Sequence, residues 1–336
     1  MTKGVILVTG GAGYVGSHTC LALQQAGYQP VVYDDLSRGY RWAARFGPLE
    51  EGNILDTHRL IEAIARHKPT AVVHFAALTY VGESQSDPAL YYRNNVAGTL
   101  SLLEAMRQTN IKTIVFSSTA AVYGAPTVTP IPEVVPLLPV NPYGTTKLTV
   151  ERMLADFSAA YGFKAAALRY FNAAGADPEV RVGEAHDPET HLIPLVLDAA
   201  SGRRKSIAVF GDDYPTPDGT CIRDYIHVLD LAEAHVRALS FLTAKADSTM
   251  LALNLGTGSG ASVRTVIETA ERITGRSIAV QKAPRRAGDP PALVADASLA
   301  KKVLGWSAAR PTLEIQIRDA WRWHQAHFGS VSGGTV

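Results

Sequence analysis

The stretch Gly10-Gly11-Ala12-Gly13-Tyr14-Val15-Gly16 constrains the fold of this chain more than any other, because of what flanks it. Val5-Ile6-Leu7-Val8-Thr9 before it reads as a fully buried strand, and residues 17–25 after it read as a helix ended by Gly27. Residues 30–35 give the next strand, so the unit is strand, helix, strand within about the 30 residues that such a crossover takes. In that setting each glycine has a steric purpose. Gly11 allows the tight turn, Gly13 lets a pyrophosphate approach the backbone, and Gly16 permits close packing of helix on strand. The positive end of the helix stabilises phosphate charge at the same point.

The alternation continues along the chain. Strands are expected at 71–75, 113–116 and 165–169, and helices at 91–108 and 142–161. Such an order calls for a doubly wound, mostly parallel α/β sheet of Rossmann type over residues 1–171, with helices on both faces. Beyond Phe171 the texture changes to connections rich in Gly, Pro, Asp and Glu at 175–188 and 211–219, which read as loops over a ligand. Helical spacing at 192–200, 229–242, 263–274 and 313–324, with short strands at 207–210 and 253–255, predicts a smaller mixed α/β unit over 172–330 that binds substrate. A cleft should separate the two units, with segments near 225–255 returning to the large sheet. Residues 329–334 read as a frayed tail.

Composition removes several function classes. With 32 Lys and Arg against 31 Asp and Glu, the formal net charge is +1, so the footprint of a nucleic-acid or anionic-membrane binder is missing. Cys20 and Cys221 are the only cysteines, which argues against a disulfide framework and a thiolate metal cluster, and no metal is expected. The first apolar run is too short for a signal segment, and no stretch approaches the roughly 20 apolar residues of a membrane helix. A cytoplasmic location is the expectation.

Two further features carry chemistry. Asp34 ends the second strand 18 residues after Gly16, where a carboxylate can bind adenosine ribose hydroxyls and repel a 2'-phosphate; this favours NAD over NADP, and Asp35 can share the role. Tyr143-Gly144-Thr145-Thr146-Lys147 places a tyrosine and a lysine at i and i+4, on one face of a helix. A tyrosine with its ordinary pKa of roughly 10 is a poor base at neutral pH, and a neighbouring ammonium favours its phenolate.

With these residues in place the chain resembles the extended short-chain dehydrogenase/reductase family, and within it the UDP-glucose 4-epimerase family. The segments that carry the resemblance include His74-Phe75-Ala76-Ala77, Asn94-Asn95-Val96, Phe116-Ser117-Ser118-Thr119, Val122-Tyr123-Gly124 and Asn141-Pro142-Tyr143-Gly144. Further along come Arg169-Tyr170-Phe171-Asn172, Arg223-Asp224-Tyr225-Ile226-His227 and Pro284-Arg285-Arg286-x-Gly288-Asp289. The resemblance implies a homodimer that interconverts UDP-glucose and UDP-galactose through a transient 4-keto sugar, with NAD tightly bound. Tyr143 would be the base, Lys147 its electrostatic partner and a nicotinamide-ribose contact, and Thr119 a partner of the sugar's 4-hydroxyl. The cofactor would further meet Gly10, Gly13, Tyr14, Val15 and Gly16, then Asp34, Asp35, Asn53 and Ile54, and finally Phe75, Ala76, Asn94, Ser117 and Phe171. The UDP-sugar would meet Asn172, His191, Leu192, Ala208 and Phe210, with Arg223 and Arg286 on the diphosphate, Asp289 on a ribose hydroxyl and Leu293 beside the sugar.

Several positions depart from the family pattern. Thr79 stands where many members carry Lys, Asn53 where Asp is frequent, and His191 where Asn is usual. Leu293 occupies a place held by a bulky Tyr in some members and a small residue in others. A UDP-xylose/UDP-arabinose 4-epimerase is therefore an alternative. A dehydratase of the same fold needs an Asp-Glu pair after Thr119, and here Ala120-Ala121 stands there. A non-catalytic NAD-binding regulator would carry a damaged Tyr or Lys; both are intact.

Overall fold

The computed structural model describes residues 3–286 and 289–329, so Gly288 and the end of the expected tail lie outside the described residues. The first half of the chain builds six of the seven strands of the frame: β1 (Val5–Thr9), α1 (Tyr14–Gln25), β2 (Gln29–Asp34), β3 (Leu49–Glu51), α2 (Thr57–His67), β4 (Ala71–His74), α3 (Val81–Ser86), α4 (Pro88–Tyr91), α5 (Gly98–Gln108), β5 (Thr113–Thr119), α6 (Pro142–Tyr161) and β6 (Lys164–Tyr170). It continues with β7 (Asn172–Ala174), α7 (Leu192–Ser201), β8 (Ile207–Phe210), β9 (Ile222–Arg223), β10 (Tyr225–His227), α8 (Val228–Thr243), β11 (Thr249–Leu255), β12 (Ala261–Ser262), α9 (Val263–Thr274), β13 (Val280–Ala283), β14 (Ala292–Leu293), α10 (Ser298–Leu304) and α11 (Leu313–Phe328).

The central sheet has seven strands in the order β11-β6-β5-β4-β1-β2-β3, all parallel. The middles of its inner strands, Ile6–Val8, Val31–Val32, Val72–Val73 and Ile114–Phe116, are apolar because helices cover both faces. One core layer joins Ile6, Val8, Val32 and Val73 to α1 and α8; the other joins Leu7, Val31, Val72 and Ile114 to α2, α5 and α6. The strand order reverses between β1 and β4, and ligands of such sheets bind at that crevice, beyond the carboxyl ends of the strands. The segment 249–255 does return to this sheet: β11 pairs in register with β6, Asn254 opposite Arg169.

Downstream, short pairs replace the large sheet. β8 pairs with β13, β7 with β10, and β9 lies between β12 and β14. A separate core of Ile193, Val196, Val266, Ile267, Ile317 and Trp321 holds α7, α9 and α11 together. None of the described helices is long and apolar enough to cross a membrane.

Three differences from the sequence reading have local causes. The helix expected over 91–108 is interrupted by a π-helical turn at Tyr92–Ala97, where the Asn95 side chain accepts from Leu78 N and donates to the Leu78 carbonyl. Such turns occur at functional sites, and Asn94 in this one lines the cavity described below. β3 and α2 are absent from the sequence reading, although α2 was legible, since Asp56 caps it and Leu60, Ala63 and Ile64 fall on one buried face. β3 contains two glutamates, of which Glu50 is buried only because Arg59, Arg66 and His67 surround it.

Candidate active site

The glycine turn packs as its sequence requires, with one reassignment. Gly10, not Gly11, takes the positive φ, at 71°, and a Cβ there would come within 2.5 Å of Ala76 N. A Cβ on Gly16 would collide with the Gly10 carbonyl oxygen. Gly13 caps α1 without a side-chain hydrogen bond, so the first N–H groups of the helix keep their donors for an anion. Asp34 is buried and accepts from Ala12 N at 2.9 Å through one oxygen and from Leu36 N at 2.9 Å through the other. Burial raises its pKa, and these bonds oppose the rise. Arg38, the nearby cation that could receive a 2'-phosphate, is paired with Glu83 at 2.7 Å and lies 5.0 Å over the Tyr80 ring.

These groups open on one cavity of about 360 Å³. Gly10, Gly13, Tyr14, Val15, Gly16, Asp34, Asp35 and Ile54 line one end. Phe75, Ala76, Asn94, Ser117, Thr119, Tyr143, Phe171, Asn172 and His191 line the rest. Asn53 lies just off the wall, its amide donating to Asp35 at 2.8 Å.

α6 begins where the chemistry sits. Asn141 caps it by accepting from Gly144 N at 2.8 Å, Pro142 opens it, and its first two turns carry Tyr143 and Lys147. Tyr143 is half-buried by area, yet its hydroxyl is ringed by protein; this pushes it up to about 12, while a hydrogen bond from Thr119 works the other way. Thr119 Oγ1 already accepts from Ala121 N at 3.1 Å, which leaves its hydrogen for the tyrosine oxygen. Lys147 is wholly buried. Burial holds it down to about 7 against the pull of Glu151, and its Nζ donates to the Ser117 carbonyl at 2.8 Å. The pull on Tyr143 toward its phenolate thus comes from Thr119, while the Lys147 ammonium, expected to favour it, donates to the Ser117 carbonyl.

The residues expected at UDP fall into two sets. Asn172 and His191 line the cavity, while Ala208, Phe210, Arg223 and Leu293 lie beyond it on the downstream strands and Arg286 and Asp289 between β13 and β14. Alternation in β8 buries Ile207 and Val209 and leaves Ala208 and Phe210 half-exposed on the other face. The Arg286 guanidinium lies 4.0 Å over the Phe210 ring, and Arg223 is paired with Asp289. Leu293 sits opposite Arg223 in register and packs with Phe171 against Val122, Tyr123 and Leu148. Leu192, the first residue of α7, is half-buried and packs against the core of α7, α9 and α11.

Sequence reasoning missed two features. Tyr170 lines the cavity and shares a 2.6 Å hydrogen bond with Ser117, behind which lies a buried network: Arg169 donates to both oxygens of Glu151 and to Tyr123, and Tyr123 donates to Asn254. The other is a cluster of Glu184, His186, Glu189 and His191 on the loop before α7. Its signal, Glu-x-His-x-x-Glu-x-His, was legible at 184–191.

A parallel sheet of this order, with a glycine cradle at its switch point and a Tyr-x-x-x-Lys helix beside it, defines a dinucleotide-dependent enzyme of the short-chain dehydrogenase type. Residues 6–256 match the model of the NAD dependent epimerase/dehydratase family, and the chain belongs to that family. Its relatives are specific. It is 53% identical over 324 residues to the UDP-glucose 4-epimerase of Rhizobium leguminosarum bv. trifolii, covering 96% of this chain and 98% of the relative. The crystal structure of UDP-glucose 4-epimerase from Brucella ovis in complex with NAD superposes with a TM-score of 0.93 at 54% identity, over 97% of this chain and 98% of that one. The Bifidobacterium longum UDP-glucose 4-epimerase in complex with NAD+ and UDP gives 0.92 at 38% identity, over 97% and 99%.

Proposed function

We propose that this chain is a UDP-glucose 4-epimerase, interconverting UDP-glucose and UDP-galactose through a transient 4-keto sugar with NAD retained throughout. The observation that carries this reading is the placement of Tyr143 and Thr119 on one cavity with the glycine cradle and Asp34. NAD, when bound, supplies the hydride acceptor and donor. Tyr143 takes the proton of the 4-hydroxyl, with Thr119 holding both oxygens in line, and later returns it. Lys147 holds the Ser117 end of β5 and reaches the nicotinamide ribose. Gly10, Gly13 and Gly16 leave room for the pyrophosphate, and Asp34, with Asp35 and Asn53, meets the adenosine end.

We assign residues 1–171, with the returning β11, to the cofactor and 172–330 to the UDP-sugar. Arg223, Arg286 and His191 bind the diphosphate, Asn172, Ala208, Phe210 and Asp289 hold the nucleoside, and Leu293 faces the sugar. Binding energy from UDP, remote from C4, holds the keto sugar while it turns its other face. Ala120 and Ala121 leave no carboxylate pair for dehydration at this strand end. A homodimer is part of the proposal, supported by apolar side chains exposed along one stretch of helices: Val81, Leu90, Tyr92 and Leu100 are 39–45% exposed. The buried free thiols of Cys20 and Cys221 suit a cytoplasmic enzyme.

The test is to incubate the purified protein separately with UDP-glucose, UDP-xylose and UDP-N-acetylglucosamine and resolve the products. UDP-glucose deuterated at C4 should give UDP-galactose that keeps its label. Loss of deuterium to water, or a stable unsaturated product, refutes the mechanism.

A further inference from the structure

Glu184, His186, Glu189 and His191 converge from one loop, and the reaction above uses only the last of them. Their donor atoms all lie within 4.8 Å of one another. His191 Nδ1 is 2.8 Å from Glu189 Oε1 and 2.9 Å from Glu184 Oε1. His186 Nδ1 is 3.0 Å from the same Glu184 oxygen and 3.7 Å from Glu189 Oε2. The two carboxylates are only 8% and 12% exposed, so the cluster is built into the protein and is not a set of solvated surface charges.

We propose that these four side chains bind one divalent transition-metal cation of the zinc class, which pins the loop before α7 against the cavity wall. Two imidazole nitrogens and two carboxylate oxygens form a donor set that such borderline cations accept. Ligands about 2.0–2.2 Å from a tetrahedral ion stand about 3.3–3.6 Å apart. The nitrogen-to-oxygen separations here run from 2.8 to 3.7 Å, so shifts of a fraction of an ångström admit the ion. Charge points the same way: two carboxylates and two neutral imidazoles carry a charge of −2, which a dication cancels.

The surroundings hold the ligands in place, as outer contacts of metal sites do. Glu189 Oε1 accepts from Thr190 N and His191 N, each at 2.7 Å. Trp323 Nε1 donates to the Glu184 carbonyl at 2.8 Å, and Gly183 lies so close to the Trp323 ring that a Cβ would collide with it. An ion on Nδ1 fixes the His191 ring and leaves Nε2 as its free nitrogen on a residue that lines the cavity. The earlier expectation of no metal rested on the scarcity of cysteine, which says nothing about a histidine and glutamate site.

The test uses the untagged full chain, stripped with chelator and dialysed, titrated with Zn²⁺ by calorimetry and with Co²⁺ by visible absorption. The expected result is one ion per chain with an intense tetrahedral-type cobalt spectrum. His186→Gln and Glu189→Gln should each lower affinity by at least about 100-fold, at or beyond the upper end of the roughly 10–100-fold cost of an outer-shell loss. Circular dichroism and retained nicotinamide check that the variants fold. Uptake below a tenth of an ion per chain overturns the proposal, as does binding that both substitutions leave unchanged. Neither readout depends on turnover, so the metal site stands or falls apart from the epimerase reading.

Discussion

Lys147 stands one helical turn beyond Tyr143, with its ammonium 5.9 Å from the centre of the Tyr143 ring, and gives its hydrogen bond to the Ser117 carbonyl rather than to the tyrosine oxygen. The lysine thus ties α6 to the end of β5, the strand that also carries Thr119. Its burial costs it charge near neutral pH, so the tyrosine depends on Thr119 and on what binds in the cavity.

Thr119→Val should therefore slow turnover by about 10-fold to 100-fold at pH 7, since a hydrogen bond to a charged group is worth about 1.5–3 kcal/mol. The sign of the pH effect follows from the bond. A donor to the phenolate lowers the pKa of Tyr143, so its removal raises that pKa, reduces the ionised fraction at fixed pH and makes the defect shrink as pH rises. Thr119→Ser keeps the donor and should retain most activity. Rate profiles from pH 6 to 10 check this, and a defect of constant size across the range assigns Thr119 to geometry alone.

Tyr143→Phe removes the ionisable hydroxyl and keeps the ring. Turnover should drop by about 100-fold to 10,000-fold with UDP-glucose affinity nearly unchanged, the pattern of a group that acts in the transition state. Near-normal turnover removes Tyr143 from the mechanism.

The cofactor half was legible because its constraints are local and steric. A buried strand, a glycine turn and a helix leave one way to pack, and Asp34 falls at the strand end by counting. The reassignment from Gly11 to Gly10 needed φ angles, which a run of adjacent glycines does not disclose. The substrate half depends on contacts far apart in sequence, such as Arg223 with Asp289 and Leu293 with the cluster of Val122, Tyr123 and Leu148. No periodicity announces those contacts.

The protein should purify with NAD or NADH, because an enzyme that must return the hydride it removed loses by cofactor exchange. Denaturation and assay of the supernatant for nicotinamide measures this. Asp34→Ala should leave much of the protein cofactor-free, since the carboxylate both anchors Ala12 of the glycine turn and faces the ribose end of the cavity. A preference of the wild type for NADP would overturn the role given to Asp34.

Leu293 sets the last expectation, through its size and its neighbours. It packs against Val122, Tyr123 and Leu148, the cluster that also holds Phe171 of the cavity wall, so its side chain cannot retreat without disturbing that cluster. A leucine is shorter than tyrosine but larger than the residues that leave space for an N-acetyl group. UDP-glucose and UDP-galactose should be good substrates and UDP-N-acetylglucosamine poor. Leu293→Gly should improve kcat/KM for the N-acetylated sugar relative to glucose by about 10-fold to 100-fold, the equivalent of relieving a clash worth about 1–3 kcal/mol. Paired kinetics on the two substrates decide the matter: equal efficiency in the wild type, or no change in the ratio on substitution, removes Leu293 as the gatekeeper.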